Sequence, residues 1–237
     1  MSESKLQSLD PNLIEQSVAL LSRRIAERFP GSSLGNVSKQ LLLIAKQAKR
    51  RSESIARPIF ALRAGSVMLI AVIVAGLVTT LFSLKMPKGG LELVEFIQLL
   101  EAGINDVVLI GAAIFFLATF ESRIKRTRAL RAVHELRTIA HLIDMHQLTK
   151  DPERLLSAGP VTESSPKRTM TAFELGRYLD YCSEMLSLTG KVAAIYVQSF
   201  EDEVALAAVN EIENLTTGLS RKVWQKLMIL HTSKTAA

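Results

Sequence analysis

Between Arg63 and Lys85 the chain carries no charge. The intervening segment, Ala64 to Leu84, reads AGSVMLIAVIVAGLVTTLFSL. A helix rises 1.5 Å per residue, so about 21 residues reach roughly 30 Å, the thickness of a bilayer's hydrocarbon core. A soluble helix of that length keeps a polar face against water. This segment has none, and the expectation is a membrane-spanning helix rather than the core helix of a large globule.

A second apolar run, Val107 to Phe120 (VVLIGAAIFFLATF), is shorter, a length shared with re-entrant and core helices. Extending it back through Ala102-Gly103-Ile104 takes in Asn105 and Asp106 near the membrane edge. Charge favours a full crossing. Arg123, Lys125, Arg126, Arg128 and Arg131 follow the second run, and Lys46, Lys49, Arg50 and Arg51 precede the first. Two crossings put both basic clusters on one side, as the positive-inside rule requires. The segment between the runs holds two lysines against Glu92, Glu95, Glu101 and Asp106. It is therefore expected outside, with both termini in the cytoplasm.

Composition agrees with this division. A mean hydropathy of +0.23 beside 22% charged residues implies that apolar and polar stretches are segregated. The net charge of +6 reads first as topology. The basic stretch from Lys46 to Arg63 has Phe60 as its one aromatic, so anionic lipid headgroups account for it and nucleic acid is not expected. Cys182 is the single cysteine, which excludes an intrachain disulfide and a cysteine-based zinc site. No cleavable signal peptide is expected, because the first 60 or so residues are polar and helix-like.

The polar parts also read as helices. Asp10-Pro11 is an N-cap followed by a first-turn proline, and Ile14, Val18, Leu21 and Ile25 share one face up to Pro30-Gly31. A second helix runs from near Leu34 to Arg57, with Val37, Leu41, Ile44, Ala48 and Ile55 inward. Leu91 to Ala102 forms either a short surface helix or the tilted beginning of the second span. That span continues past Phe120 as one helix to about Leu148. Residues 151–170 form a loop with a helical turn near PERLLSA. Thr171 and Glu174 make a capping box ahead of a stripe from Leu175 to Tyr196. Ser199 with Asp202 starts a last helix, with Ala205, Ile212, Leu219, Val223 and Leu230 among its core positions.

The predicted fold class is thus all-α, a two-span transmembrane helical hairpin with a cytoplasmic helical bundle. Residues 1–60 form N-terminal cytoplasmic helices. Residues 61–120 form the hairpin, with spans at about 64–84 and 103–120 and an external loop at 85–102. Residues 121–237 complete the bundle.

Chemistry-bearing residues are sparse. Three of the four histidines lie in RAVHELRTIAHLIDMH. Helical spacing sets His134, Arg137, His141 and Asp144 on one face, with Arg131 a turn earlier. His134 and His141 stand about 10 Å apart along the axis, too far to share a metal, and Thr138 interrupts an HExxH pattern. No metal site and no cofactor are expected. The face is expected to be solvated or paired with carboxylates such as Glu174, Asp180, Glu184 or Glu211. Its sharper reading is an anionic-ligand site formed by Arg131, His134, Arg137, His141 and Asp144. No phosphate-binding glycine loop, nucleophile elbow or CxxC occurs. Cys182 sits on an apolar stripe and reads as core, and Trp224 reads as a packing anchor.

These features exclude no binding role but supply no catalytic machinery, so an enzyme is not expected. The leading expectation is a non-enzymatic scaffold or assembly protein of a bacterial inner membrane. It works as a homo-oligomer, with the lipid bilayer and an unidentified cytoplasmic protein as partners. The alternative is an oligomeric channel or pore-forming effector whose outer mouth is lined by Asp106. Against that pore role stands the expectation that Asp106 and Asn105 cap the N-terminus of the second span, which needs no oligomer and is the favoured reading of the two. A membrane-tethered sensor of an anionic ligand, using the Arg131–Asp144 face, is the third. Small residues in the spans, Gly65, Ala71, Ala75 and Gly76 in the first and Gly111, Ala112 and Ala118 in the second, permit close helix contact.

Overall fold

A computed structural model of the chain describes residues 8–83, 93–152, 163 and 170–235. Among these residues there is no strand, and the fold is all-α. The helices are α1 (Pro11–Arg28), α2 (Ser33–Ala56), α3 (Phe60–Ser83), α4 (Leu93–Leu148), α5 (Ala172–Ile195) and α6 (Glu203–Thr235). They divide into two compact units, one within Met1–Ala56 and Arg128–Ala237, the other within Arg57–Thr127.

The first unit is a helical bundle. Asp10 caps α1 by accepting the Asn12 N–H at 2.8 Å, with Pro11 in the first turn where a missing N–H is harmless. Ile14, Val18, Leu21 and Ile25 are buried as their spacing predicts. The Phe29 N–H closes the last turn on the Ile25 carbonyl, and Gly31, at φ +70°, supplies the left-handed residue that reverses the chain. Helix α2 packs on α1 through Val37 and Leu41, and the Ser22 and Ser38 hydroxyls meet inside at 3.1 Å. The Ser52 hydroxyl donates to the Ile195 carbonyl at 2.8 Å and ties α2 to the end of α5. Helix α4 contributes Ala129, Ala132, Val133, Leu136, Ile139, Ala140 and Ile143 to the same core.

Helix α5 is the centre of the bundle. Its Thr171 capping box forms in full, with Thr171 Oγ1 accepting from the Glu174 N–H and the Glu174 carboxylate accepting from the Thr171 N–H. Leu175, Tyr178, Leu179, Cys182, Met185, Leu186, Val192 and Ala193 are all buried, and α6 covers them with Ala205, Ile212, Leu219, Val223 and Leu230. Helix α6 begins at Glu203 with Asp202 as its cap, since Asp202 Oδ1 accepts the Ala205 N–H at 2.9 Å. The start expected at Ser199 is not used, because residues 196–199 form turns in which Tyr196 N–H bonds back to the Ala193 carbonyl.

The second unit holds α3 and the first part of α4. Both helices are long and apolar enough to cross a membrane, and none of their apolar stretch is buried within the chain. Helix α4 is continuous from Leu93 to Leu148, 56 residues, as the reading of a span prolonged to Leu148 requires. Of the two forms open to residues 91–102, the described part, from Leu93, is the beginning of this helix. Asp106 therefore lies inside α4, not at its start, and stands exposed. The reading in which Asn105 and Asp106 cap the second span fails, because a cap needs the unpaired N–H groups of a helix's first turn. The turn expected at Pro87–Gly90 and the helical turn near PERLLSA lie outside the described residues.

Candidate functional site

The Arg131–Asp144 face of α4 is where the sequence pointed, and its members have separate attachments. Arg137 Nη2 is paired with the Glu211 carboxylate of α6. Asp144 Oδ1 accepts from Gln147 Nε2, one turn on, at 2.6 Å. Arg131, His134 and His141 are exposed. Pairing with Glu211 is one of the two structural roles expected of this face. Glu135, beside His134, bonds to Arg51 of α2 at 2.6 Å and raises the pKa of that guanidinium. Among the described residues no group of three histidine, cysteine or acidic side chains stands where it could hold a metal ion.

Cys182 is fully buried, and burial pushes its thiol up to about 12, against the opposing pull of Lys226 and Lys150. A thiol held that high is almost entirely protonated near neutrality and is a poor nucleophile. Lys226 spends its charge on structure: Nζ donates to the Gln147 carbonyl at 2.6 Å, satisfying the C-terminal end of α4. Burial lowers its pKa, and Asp151, Asp144 and Cys182 partly offset that. Trp224 departs from expectation. It is 62% exposed, so it is no packing anchor. The inward positions of that part of α6 fall on Val223 and Leu230, which leaves the indole outside.

A better-organised cluster lies in the second unit, around Glu121. Its carboxylate accepts from Arg63 Nε at 2.6 Å and Nη2 at 3.4 Å, from the Ile59 N–H at 3.2 Å, and pairs with Lys125 Nζ at 2.9 Å. Both Glu121 and Lys125 are largely covered. The Arg63 guanidinium first, then Lys125, bring the Glu121 carboxyl down from 4.5 to about 2. One carboxylate thus gathers the start of α3 and the segment of α4 directly after its apolar run. The sequence held a signal for it: Glu121 is the sole acid between Asp106 and Glu135, and Lys125 is four residues on.

Around the helix from that cluster lies a different stripe of α4. The rings of Phe116 and Phe120 are 5.6 Å apart and tilted by 40°, and the Arg123 guanidinium lies 5.3 Å from the centre of the Phe116 ring. In the first unit an open hollow of about 420 Å³ runs between α1 and α5, lined by Ser17, Leu20, Arg24, Ser183, Glu184 and Ser187. Arg24 spans it to Glu184 at 2.9 Å and stacks on Tyr181.

The chain defines a class by its fold alone: an all-α protein with two helices long and apolar enough to cross a membrane. No family model, curated protein or solved structure matches it.

Proposed function

We propose that this chain is a two-span integral membrane protein that acts as a non-enzymatic scaffold or assembly protein by associating with itself. The observation that carries the reading is that the apolar stretches of α3 and α4 are not buried within the chain. Burying apolar surface contributes about 25 cal/mol per Å², so water is not the solvent that suits these faces. Lipid suits them. The basic clusters on both flanks set the orientation, with the bundle and both termini in the cytoplasm and the segment between the spans outside, as in a bacterial inner membrane.

Self-association is supported by the small residues of the spans. Among the described residues a Cβ built on Gly65, Gly76 or Gly111 meets nothing within 4 Å, so none of them uses the close approach these glycines allow. A second copy, related by symmetry, uses it. The non-enzymatic part is supported by what the polar groups already do: Arg137 is paired, Asp144 is bonded and Cys182 is buried and protonated.

Membrane extraction tests the first half and native mass in detergent the second. The protein should resist alkaline carbonate and run as a homo-oligomer, and replacing Ala71 and Ala75 together by leucine should weaken the assembly. A protein that stays monomeric in detergent and after return to lipid contradicts the scaffold reading.

A further inference from the structure

We infer that the Phe116–Phe120–Arg123 stripe of α4 is a binding site for an anionic phospholipid of the cytoplasmic leaflet. The inference rests on the membrane-spanning reading of α4. Its ground is how the second unit distributes its charges. On the Glu121 side of α4, cations meet a carboxylate: Arg63 and Lys125 both bond to Glu121. Arg123, two residues on, is rotated by about 200° from Glu121 on a helix of 3.6 residues per turn. It is exposed, and among the described residues no carboxylate pairs with it. Its one aromatic contact is the ring of Phe116.

The direction of the side chain follows from helix geometry. Side chains lean toward the N-terminus of their helix, so Arg123 points back along the apolar stretch rather than away from it. This brings a guanidinium beside two phenyl rings, of which Phe116 is 49% exposed. A cation above an apolar, aromatic surface at the end of a span matches a molecule with a phosphate at one end and a hydrocarbon chain at the other. The ring face holds the guanidinium by cation–π attraction and leaves its N–H donors for phosphate oxygens. An acyl chain lies along Phe120 and Phe116. The net negative charge of an anionic headgroup adds to this, whereas a choline headgroup brings a cation next to Arg123.

The test is native mass spectrometry of the full-length protein in detergent. It is titrated with dimyristoyl phosphatidylglycerol, with dimyristoyl phosphatidylcholine, or with inorganic phosphate. The expected result is tighter binding of the phosphatidylglycerol. Arg123→Gln should weaken that binding about tenfold, the scale of one charge-assisted contact, and remove the preference over phosphatidylcholine. Arg123→Lys, which keeps the charge but loses the planar donor fork, should retain part of the preference. Unchanged phosphatidylglycerol binding by Arg123→Gln overturns the site. Displacement of the lipid by inorganic phosphate at similar concentrations overturns its lipid nature. Carbonate washing of the protein in phosphatidylcholine vesicles separates the two levels. Protein retained in the vesicles while Arg123→Gln behaves as wild type removes only the lipid site, and protein released by the wash removes the membrane reading with it.

Discussion

Cys182 is a built-in reporter on the bundle, because it is the one thiol in the chain and it is fully buried between α5 and α6. Two effects slow its modification in the folded protein. Burial raises the thiol from 9.0 to about 12, which cuts the thiolate fraction near pH 8 about a thousandfold. The reagent also cannot reach the sulfur until the bundle around α5 opens. Labelling therefore proceeds through opening, at a rate proportional to the open population when closing is fast. Leu186, four residues on and fully buried, supplies the perturbation. Leu186→Ala should destabilise the bundle by about 2–5 kcal/mol, the removed methyl groups and the remaining cavity both contributing. If the whole loss appears in the opening equilibrium, labelling speeds up by a factor of about 30 at the low end and several thousand at the high end. The assay is maleimide labelling of detergent-solubilised protein, followed by mass, with and without denaturant. Wild type should label within minutes only when denatured. Rapid stoichiometric labelling of native wild type would refute the burial, and an unchanged rate in Leu186→Ala would refute the claim that this packing holds α5 and α6 together.

Acid should weaken the tie between α3 and α4. Glu121 has a folded pKa of about 2, below its ordinary 4.5, so its contribution is complete above pH 4.5 and lost as the pH falls toward 2. The thermal midpoints of wild type and Glu121→Gln should differ at pH 7 and converge across that window. Thr171→Ala removes the capping box of α5 and should cost about 1 kcal/mol, read from the denaturant midpoint. For orientation, an impermeant maleimide should label Lys88→Cys in intact cells and Ser164→Cys only after permeabilisation, with Cys182→Ser as the background. The reverse pattern would sink the topology.

Sequence and structure agree where one physical requirement dominates. Asp10-Pro11 and Thr171-x-x-Glu174 are legible because helix ends must satisfy N–H groups with nearby side chains, and the pattern is local. The buried stripe of α5 is legible because a helix packed on three neighbours, α1, α2 and α6, needs a wide apolar face of fixed period. Agreement fails where two local solutions compete. Ser199 and Asp202 are both good caps, and the turns at 196–199, bonded back to Ala193 and Ala194, decide for Asp202. Asp106 reads as a cap because a carboxylate at the edge of an apolar run resembles a helix start. The run, however, is the middle of a helix that begins at Leu93. Trp224 misleads for a related reason: a large aromatic suits a core, but its register on α6 is fixed by Val223 and Leu230.

The candidate site is the harder case, since it depends on pairs far apart in sequence. Periodicity could set Arg131, His134, Arg137, His141 and Asp144 on a face, but it could not say that Glu211 takes Arg137 or that Gln147 takes Asp144. The same limit hid the Glu121 cluster, whose partner Arg63 is 58 residues away. Once that pairing is known, the basic run after the second apolar stretch no longer reads as one undivided charge. Arg63 and Lys125 are drawn to Glu121, where they join α3 to α4 and hold its carboxyl well below the usual carboxylate range. Arg123 is excluded from that cluster by helical geometry alone, because two residues of rotation carry it to another side of α4. On the lipid-site proposal, a run that hydropathy and charge counting treat as a single topological signal serves twice: internal fastening through Lys125 on the Glu121 side, and on the Phe116 side a cation placed for an external anion.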